Sequence, residues 1–227
     1  MVGKLIVFEG GEGAGKSTQL IRLAEHLETD PRFGQLQRQG RVTGLVTSRE
    51  PGGTPLGQQL RQLLLHHGPE ISLVDRAELL LYAADRAQHV EQVIRPALEQ
   101  GCWVLCDRFV DSTLAYQGYG RGLDLALIQQ LNAIATAGLT PDLTLWLQLP
   151  VEQGLARARQ RGAVDRMEGA DLAFHQRVQE GFVSLAQRDP QNRATIEAEG
   201  SPAAVARAIL AVVETYLERW YPNDFPT

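Results

Sequence analysis

The chain has 227 residues and a mass of 25.0 kDa, enough for one generous domain with a substantial core and no need of a second. Hydrophobic residues at 44% and charged residues at 22% are ordinary for a globular protein and exclude a disordered one. The formal charge of -5 excludes bulk nucleic-acid binding, so any anion site has to be a local cluster of arginines in an acidic molecule.

The first apolar run, Leu5 to Phe8, reads as a short buried strand. It leads into Gly10-Gly11-Glu12-Gly13-Ala14-Gly15-Lys16-Ser17-Thr18, which matches G-x-x-x-x-G-K-[ST]; Leu20, Leu23, Ala24 and Leu27 then recur at helical spacing. A strand, a glycine-rich loop and a helix in that order form a phosphate-binding loop. Glycines at 10, 13 and 15 permit backbone conformations closed to other residues, so that successive N–H groups converge on phosphate oxygens, and the helix adds its positive end. Lys16 is then the cation for the β and γ phosphates, and the Ser17 hydroxyl is a magnesium ligand. Of the 22 Lys plus Arg residues only Lys4 and Lys16 are lysines, which argues against surface filler at the motif position.

Residues 30–41 hold Pro31, Gly34 and Gly40 without clear periodicity and read as a surface loop. A second strand, Val42 to Thr47, runs into Arg49-Glu50-Pro51-Gly52-Gly53-Thr54. The proline and paired glycines fix a tight turn that aims Arg49 into a cleft, where a guanidinium suits bidentate contact with phosphate; a plain loop with a solvated Arg49 is the competing reading. In the helical pattern beyond, Leu79, Leu80 and Ala83 are core candidates. Tyr82 and Arg86 stand four apart on one helical face, where they either pack on one another or stack on and hydrogen-bond a base.

Cys102 and Cys106 bracket the third strand, Trp103 to Cys106, and strand spacing puts both on one face as buried thiols, with no disulfide and no metal site. Asp107-Arg108-Phe109 ends it, the place for an acidic group near magnesium and a second phosphate-facing arginine; a strand-terminal salt bridge is the alternative. Ser112, Tyr116, Gln117, Gly118, Tyr119, Gly120, Arg121 and Gly122 follow, a mix suited to the wall of a pocket for a flat ring. Leu143 to Leu149 and Ala194 to Glu197 are the last two strands. Between them Arg157, Arg159, Arg161 and Arg166 crowd one segment. Spacing of two cannot put the first three on one helical face, so a mobile lid at about 157–168 competes with a solvated basic helix.

Strands and helices alternate, which calls for a five-stranded parallel sheet with helices on both faces and ligands at the carboxyl ends of the strands, an α/β, P-loop NTPase-like fold in one domain over 1–227. In joint order and spacing, the phosphate loop with Glu12 inside it, Arg49 to Thr54, Leu79 to Gln88, Asp107 through Gly118 and the arginine-rich segment to Asp165-Arg166 resemble bacterial thymidylate kinases, over residue 5 to about 200.

That resemblance implies phosphorylation of dTMP to dTDP, in dTTP biosynthesis, with ATP as phosphoryl donor and Mg2+ as the required ion. It implies that Gly10 to Thr18 hold ATP, that Ser17 and Asp107 serve magnesium, and that Glu12 accepts from the 3′-hydroxyl of the deoxyribose. Arg49 and Arg108 would hold the monophosphate, Tyr82 would stack on thymine, Arg86 would donate to a thymine carbonyl, and Ser112, Tyr116 and Gln117 would complete the pocket. An arginine-rich lid that supplies the catalytic guanidinium is also implied, with Arg161 first and Arg157 and Arg166 behind it. With no signal peptide, no long apolar span and only two cysteines, the expected compartment is the cytosol with no membrane partner, and the acidic charge argues against a nucleic-acid partner; the likeness implies a homodimer, for which the apolar helical surface around Ala77 to Ile94 is a candidate seam that burial inside the monomer explains equally well. Three features depart from the family pattern: Tyr82 where Phe is common, Gln148 where Asp is frequent, and a longer 30–41 segment. A kinase for another deoxynucleoside monophosphate, or a P-loop NTPase switch acting through a protein partner, is the alternative function.

Overall fold

The computed structural model describes residues 3–66, 68, 71–160, 162 and 165–225. Five strands, β1 (Leu5–Glu9), β2 (Gly44–Arg49), β3 (Cys102–Asp107), β4 (Leu143–Gln148) and β5 (Arg193–Glu197), form one parallel sheet in the order β2-β3-β1-β4-β5. Leu5 is in register with Val104 and Ile6 with Leu143, so β1 is the central strand, and all five of its residues are buried. The helices are α1 (Lys16–Thr29), α2 (Pro31–Arg38), α3 (Pro55–Leu65), α4 (Asp75–His89), α5 (Arg95–Glu99), α6 (Val110–Thr113), α7 (Leu125–Thr136), α8 (Val151–Gln160), α9 (Leu172–Ala186) and α10 (Pro202–Trp220). π-Helical turns at Val90–Ile94 and Leu114–Gly120 extend α4 and α6.

Successive strand residues face opposite sides, and here both sides are covered. Ile6 and Phe8 pack with Leu20, Leu23 and Leu27 of α1 and with Ile209 and Val213 of α10, while Leu5 and Val7 face Val90, Ile94 and Phe109. Each such side chain removed from water stabilises the fold by about 1.5–3 kcal/mol. Cys106 is buried in the second cluster, whereas Cys102, at the start of the strand, is only half-buried against it, short of the expected burial; both thiols are free. Leu64, Tyr116, Trp146, Phe174 and Phe182 form a further cluster that ties together the elements bordering the cleft.

Two expectations need correction. Residues 30–41 are not a loop: Asp30 caps α2 by accepting from the Arg32 and Phe33 amides, Pro31 suits its first turn, and Phe33 and Leu36, three apart, bury one face. Gly34 interrupts that short pattern and hides it. Leu79 and Ala83 are core residues, but Leu80 is 58% exposed, because the turn of α4 carries it to the solvent side. Arg157 and Arg159 lie on α8, which runs to Gln160.

Candidate active site

The loop between β1 and α1 leaves the carboxyl edge of the sheet with φ of 144°, 67° and 88° at Gly10, Gly13 and Gly15, all in the range that favours glycine. Gly13 meets α8 backbone to backbone. A Cβ on Gly13 would stand 2.0 Å from the Gly154 carbonyl oxygen, and one on Gly154 would stand 2.3 Å from that of Glu12. Lys16 Nζ donates to the carbonyl oxygens of Gly10 and Gly11 at 3.0 and 2.8 Å, which holds the loop curved and leaves one N–H for an anion. Burial and the neighbouring Arg108 pull the Lys16 pKa down to about 8, against the attraction of Glu12 and Asp107, so the ammonium persists at neutral pH.

Ser17 Oγ donates to Asp107 Oδ2 at 2.5 Å, joining the start of α1 to the end of β3. Among the described residues no group of three or more His, Cys, Asp or Glu could cage a metal. A hydroxyl and one carboxylate fit a magnesium ion, which takes most of its ligands from water and substrate phosphates.

Arg108 is the hub of the cleft. Nη1 donates to Gly10 O and Ser112 Oγ, both at 3.1 Å; Nη2 donates to Glu12 Oε1 at 2.8 Å and to Tyr116 Oη at 3.1 Å. Burial works to raise the Glu12 pKa, but Arg108 and Lys16, helped by the Tyr116 hydroxyl, hold it at about 2. Beneath them lies Glu9, a residue that sequence reasoning missed. It accepts from the Phe109 and Ser112 amides and from Ser112 Oγ at 2.6 Å, and so aims the start of α6 at the loop. Burial nevertheless raises its pKa, with Ser112 and Arg108 opposing. An acidic residue closing a buried strand was the available signal.

Arg49 ends β2 in register with Asp107 and is exposed to the cleft. Arg61 of α3 also lines it, although nothing in a lone helical arginine marked it out. Arg61 Nη1 donates to Pro51 O at 3.0 Å, and burial together with Arg49 and Arg108 lowers its pKa. Three guanidinium groups from three segments therefore share one open cleft of about 1060 Å³ with Glu12, Lys16, Ser17 and Asp107.

Tyr82, Arg86, Ser112, Tyr116 and Gln117 line it too. Burial and then Glu78 push the Tyr82 phenol up, so it stays neutral. Arg86 is only 2% exposed, and protein acceptors already take four of its five N–H bonds: Nε to Glu50 Oε2, Nη1 to Thr113 Oγ1 and Asn132 Oδ1, and Nη2 to Phe109 O, all at 2.8–2.9 Å. It is first an internal strut and keeps one N–H for a ligand. Glu50 also meets His89 Nδ1 at 3.0 Å, and Asp85 Oδ1 accepts from the Gly52 amide at 3.0 Å, so α4 clamps the turn that carries Arg49.

The lid arginines divide. Arg157 donates to the carbonyl oxygens of Ala198 and Glu199, and Arg166 to Leu64 O and Glu78; neither lines the cleft. These two, which stand behind Arg161 as candidates for the lid guanidinium, are thus not brought into the cleft; backbone carbonyls and a buried carboxylate hold them. Arg161 lies outside the described residues. Asp165, Met167 and Glu168 do border the cleft, with Asp165 Oδ1 accepting from the amides of the other two.

Comparison with known proteins agrees with this geometry. A family model described as thymidylate kinase matches residues 8–209. A thymidylate kinase of Cyanothece sp. is 56% identical over 98% of both chains, and one of Thermosynechococcus vestitus is 53% identical over 96% of this chain and 90% of its own. The crystal structure of thymidylate kinase from Ehrlichia chaffeensis superposes with a TM-score of 0.73 at 32% identity, covering 94% of this chain and 100% of that one.

Proposed function

Because the chain belongs to the thymidylate kinase family, we propose how its cleft performs the family's reaction, transfer of the ATP γ-phosphoryl group to dTMP to give dTDP and ADP for dTTP synthesis. The acceptor phosphate is already an oxyanion near neutral pH, so no strong general base is required; catalysis is placement and charge neutralisation.

Residues 10–18 wrap the ATP phosphates, with Lys16 against the β and γ groups. Ser17 and Asp107 would hold a magnesium ion, which would supply neutralising charge to the phosphate oxygens. Arg49, Arg61 and Arg108 grip the dTMP phosphate from separate segments. Glu12 Oε1 is taken by Arg108 and Tyr116, so Oε2 accepts from the 3′-hydroxyl. Tyr82 stacks on thymine, the last N–H of Arg86 reaches a base carbonyl, and Gln117 offers its amide. Arg161 supplies the guanidinium that closes over the transferring group, from a lid at about 157–168 within a single domain.

The observation that carries this reading is the shared cleft of Lys16, Arg49, Arg108 and Glu12, which joins a phosphate loop to a second anion site beside a sugar-hydroxyl acceptor. The test is a panel of nucleoside monophosphates in a coupled ADP-release assay. Preference for dTMP supports the reading, equal use of other monophosphates overturns its base assignment, and ATP turnover without acceptor would favour an NTPase switch.

We also propose a cytoplasmic homodimer without nucleic-acid or membrane partners. Exposed Leu80, Leu127 and Ile134 on α4 and α7, two helices that pack together, support a self-associating face. Light scattering tests it. Among the described residues no helix is long and apolar enough to cross a membrane.

A further inference from the structure

Glu78 in α4 is 0% exposed and has no part in the chemistry above. Its Oε1 accepts from Gln117 Nε2 at 2.7 Å. Its Oε2 accepts from Arg166 Nη2 and stands 3.5 Å from Arg121 Nη2. One buried carboxylate thus joins α4, the π-helical turn after α6, and the 165–168 segment that borders the cleft. Arg166 is anchored independently through Nε to Leu64 O at 2.9 Å, which fixes the approach of its guanidinium. An ionised carboxylate only accepts hydrogen bonds, so the Gln117 amide has to turn its NH2 toward Glu78. Gln117 lines the cleft, and with Nε2 on Glu78 its carbonyl oxygen is the end turned away from the carboxylate.

We propose that Glu78 is the positioning residue for base selection: it fixes the Gln117 amide with its carbonyl oxygen toward the base, and Arg166 and Arg121 fix Glu78. The proposal rests on the reading that Gln117 faces the base. An acceptor at that point pairs with the N3–H of thymine or uracil and opposes the N3 lone pair of cytosine. The same amide turned over would reverse that choice. Selection between the two base types is therefore set by a carboxylate that does not itself touch the ligand, in the way that outer partners orient the groups that do.

The test measures kcat/KM for dTMP, dUMP and dCMP with the wild type, Glu78→Gln, Gln117→Leu and the double variant. Glu78→Gln keeps the volume but replaces an acceptor with a donor, which frees the Gln117 amide to turn. The dTMP:dCMP ratio should fall at least ~10-fold, while the dTMP:dUMP ratio, set by two bases with the same N3–H, stays within about twofold. Once Gln117 is Leu, adding Glu78→Gln should change the dTMP:dCMP ratio no further. An unchanged ratio in Glu78→Gln, when Gln117→Leu lowers it, overturns the proposal. If Gln117→Leu itself leaves the ratio unchanged, the base-facing reading of Gln117 fails, and the proposal with it. Should Glu78→Gln fail to fold, Arg166→Met is the second variant, at a side chain 24% exposed. Any effect of Arg166 on turnover is common to all three substrates and cancels in the ratio. A fall of several-fold in dTMP:dCMP alone is expected; an unchanged ratio overturns the proposal.

Discussion

Arg108 donates through Nη2 to Glu12 Oε1 at 2.8 Å, so the turn after β3 and the loop after β1 are joined by an ion pair inside the cleft. The Arg108 backbone is left-handed, with φ of 71°, a conformation that a non-glycine residue keeps only when its surroundings impose it. Here its amide donates to Phe8 O at 2.9 Å and its guanidinium makes four further hydrogen bonds above the Tyr116 ring. The strain sits at the residue that has to face both the loop and the acceptor phosphate.

Arg108→Lys keeps the charge and loses the planar fork, so one ammonium cannot serve Gly10, Ser112, Glu12 and a phosphate together. The expected loss in kcat/KM for dTMP is ~10²-fold or more, with a smaller change in KM for ATP. Steady-state kinetics with each substrate varied in turn checks this, and equal losses for both substrates would count against a dTMP-side role.

Gly154→Ala should damage the phosphate loop from outside it. The new Cβ would stand 2.3 Å from the Glu12 carbonyl oxygen, so either the loop or α8 has to move. ATP affinity should drop by ~10-fold or more, read by isothermal titration, because the N–H groups lose their common focus.

Asp85 gives the fold a pH dependence of known sign. Burial, and then the Glu50 charge, raise its pKa from 3.8 to about 6. A carboxyl raised on folding stabilises the native state fully below its unfolded pKa, and that contribution is lost as pH rises through about 6. Melting temperature should therefore fall between pH 5 and pH 7 in the wild type and fall less in Asp85→Asn, whose amide oxygen still accepts from the Gly52 N–H. Thermal melts of both proteins across that window decide the matter; parallel curves would rule Asp85 out.

Chelating magnesium should abolish turnover. Asp107→Asn should raise the magnesium concentration for half-maximal rate by ~10-fold, since Ser17 loses its charged partner as the ion loses a carboxylate. A magnesium titration of both proteins at fixed ATP reads this out directly.

Arg161→Ala should lower turnover by ~10³-fold while sparing dTMP affinity, on the scale of other guanidinium groups that meet a transferring phosphoryl group. Arg157→Ala should cost far less, because Arg157 is bonded to the carbonyl oxygens of Ala198 and Glu199. Single-turnover rates compare the two, and a larger loss at Arg157 would transfer the role.

The elements that could be read from the chain are those whose evidence is contiguous. Five apolar runs became five parallel strands, and the glycine pattern before Lys16 gave the positive φ values it called for. Helix α2 was missed because its signal is short: Asp30 as cap, then only Phe33 and Leu36 as buried positions around Gly34. Arg86 shows a different limit. Its position on the same helical face as Tyr82 was legible, whereas its four protein acceptors come from Glu50, Phe109, Thr113 and Asn132, which no local pattern connects.

By itself, then, the order of residues determined the alternation of strands and helices, the phosphate loop, and the expectation that reactive groups gather at the carboxyl ends of the strands, because each depends on spacing within a few turns of chain. Only the tertiary structure decided that Arg61 joins Arg49 and Arg108, that Glu9 accepts from the start of α6, that Arg157 and Arg166 are already bonded elsewhere, and that Glu78 accepts from Gln117. Those are contacts between segments tens of residues apart, and their distances and directions exist only once the sheet has brought the segments together.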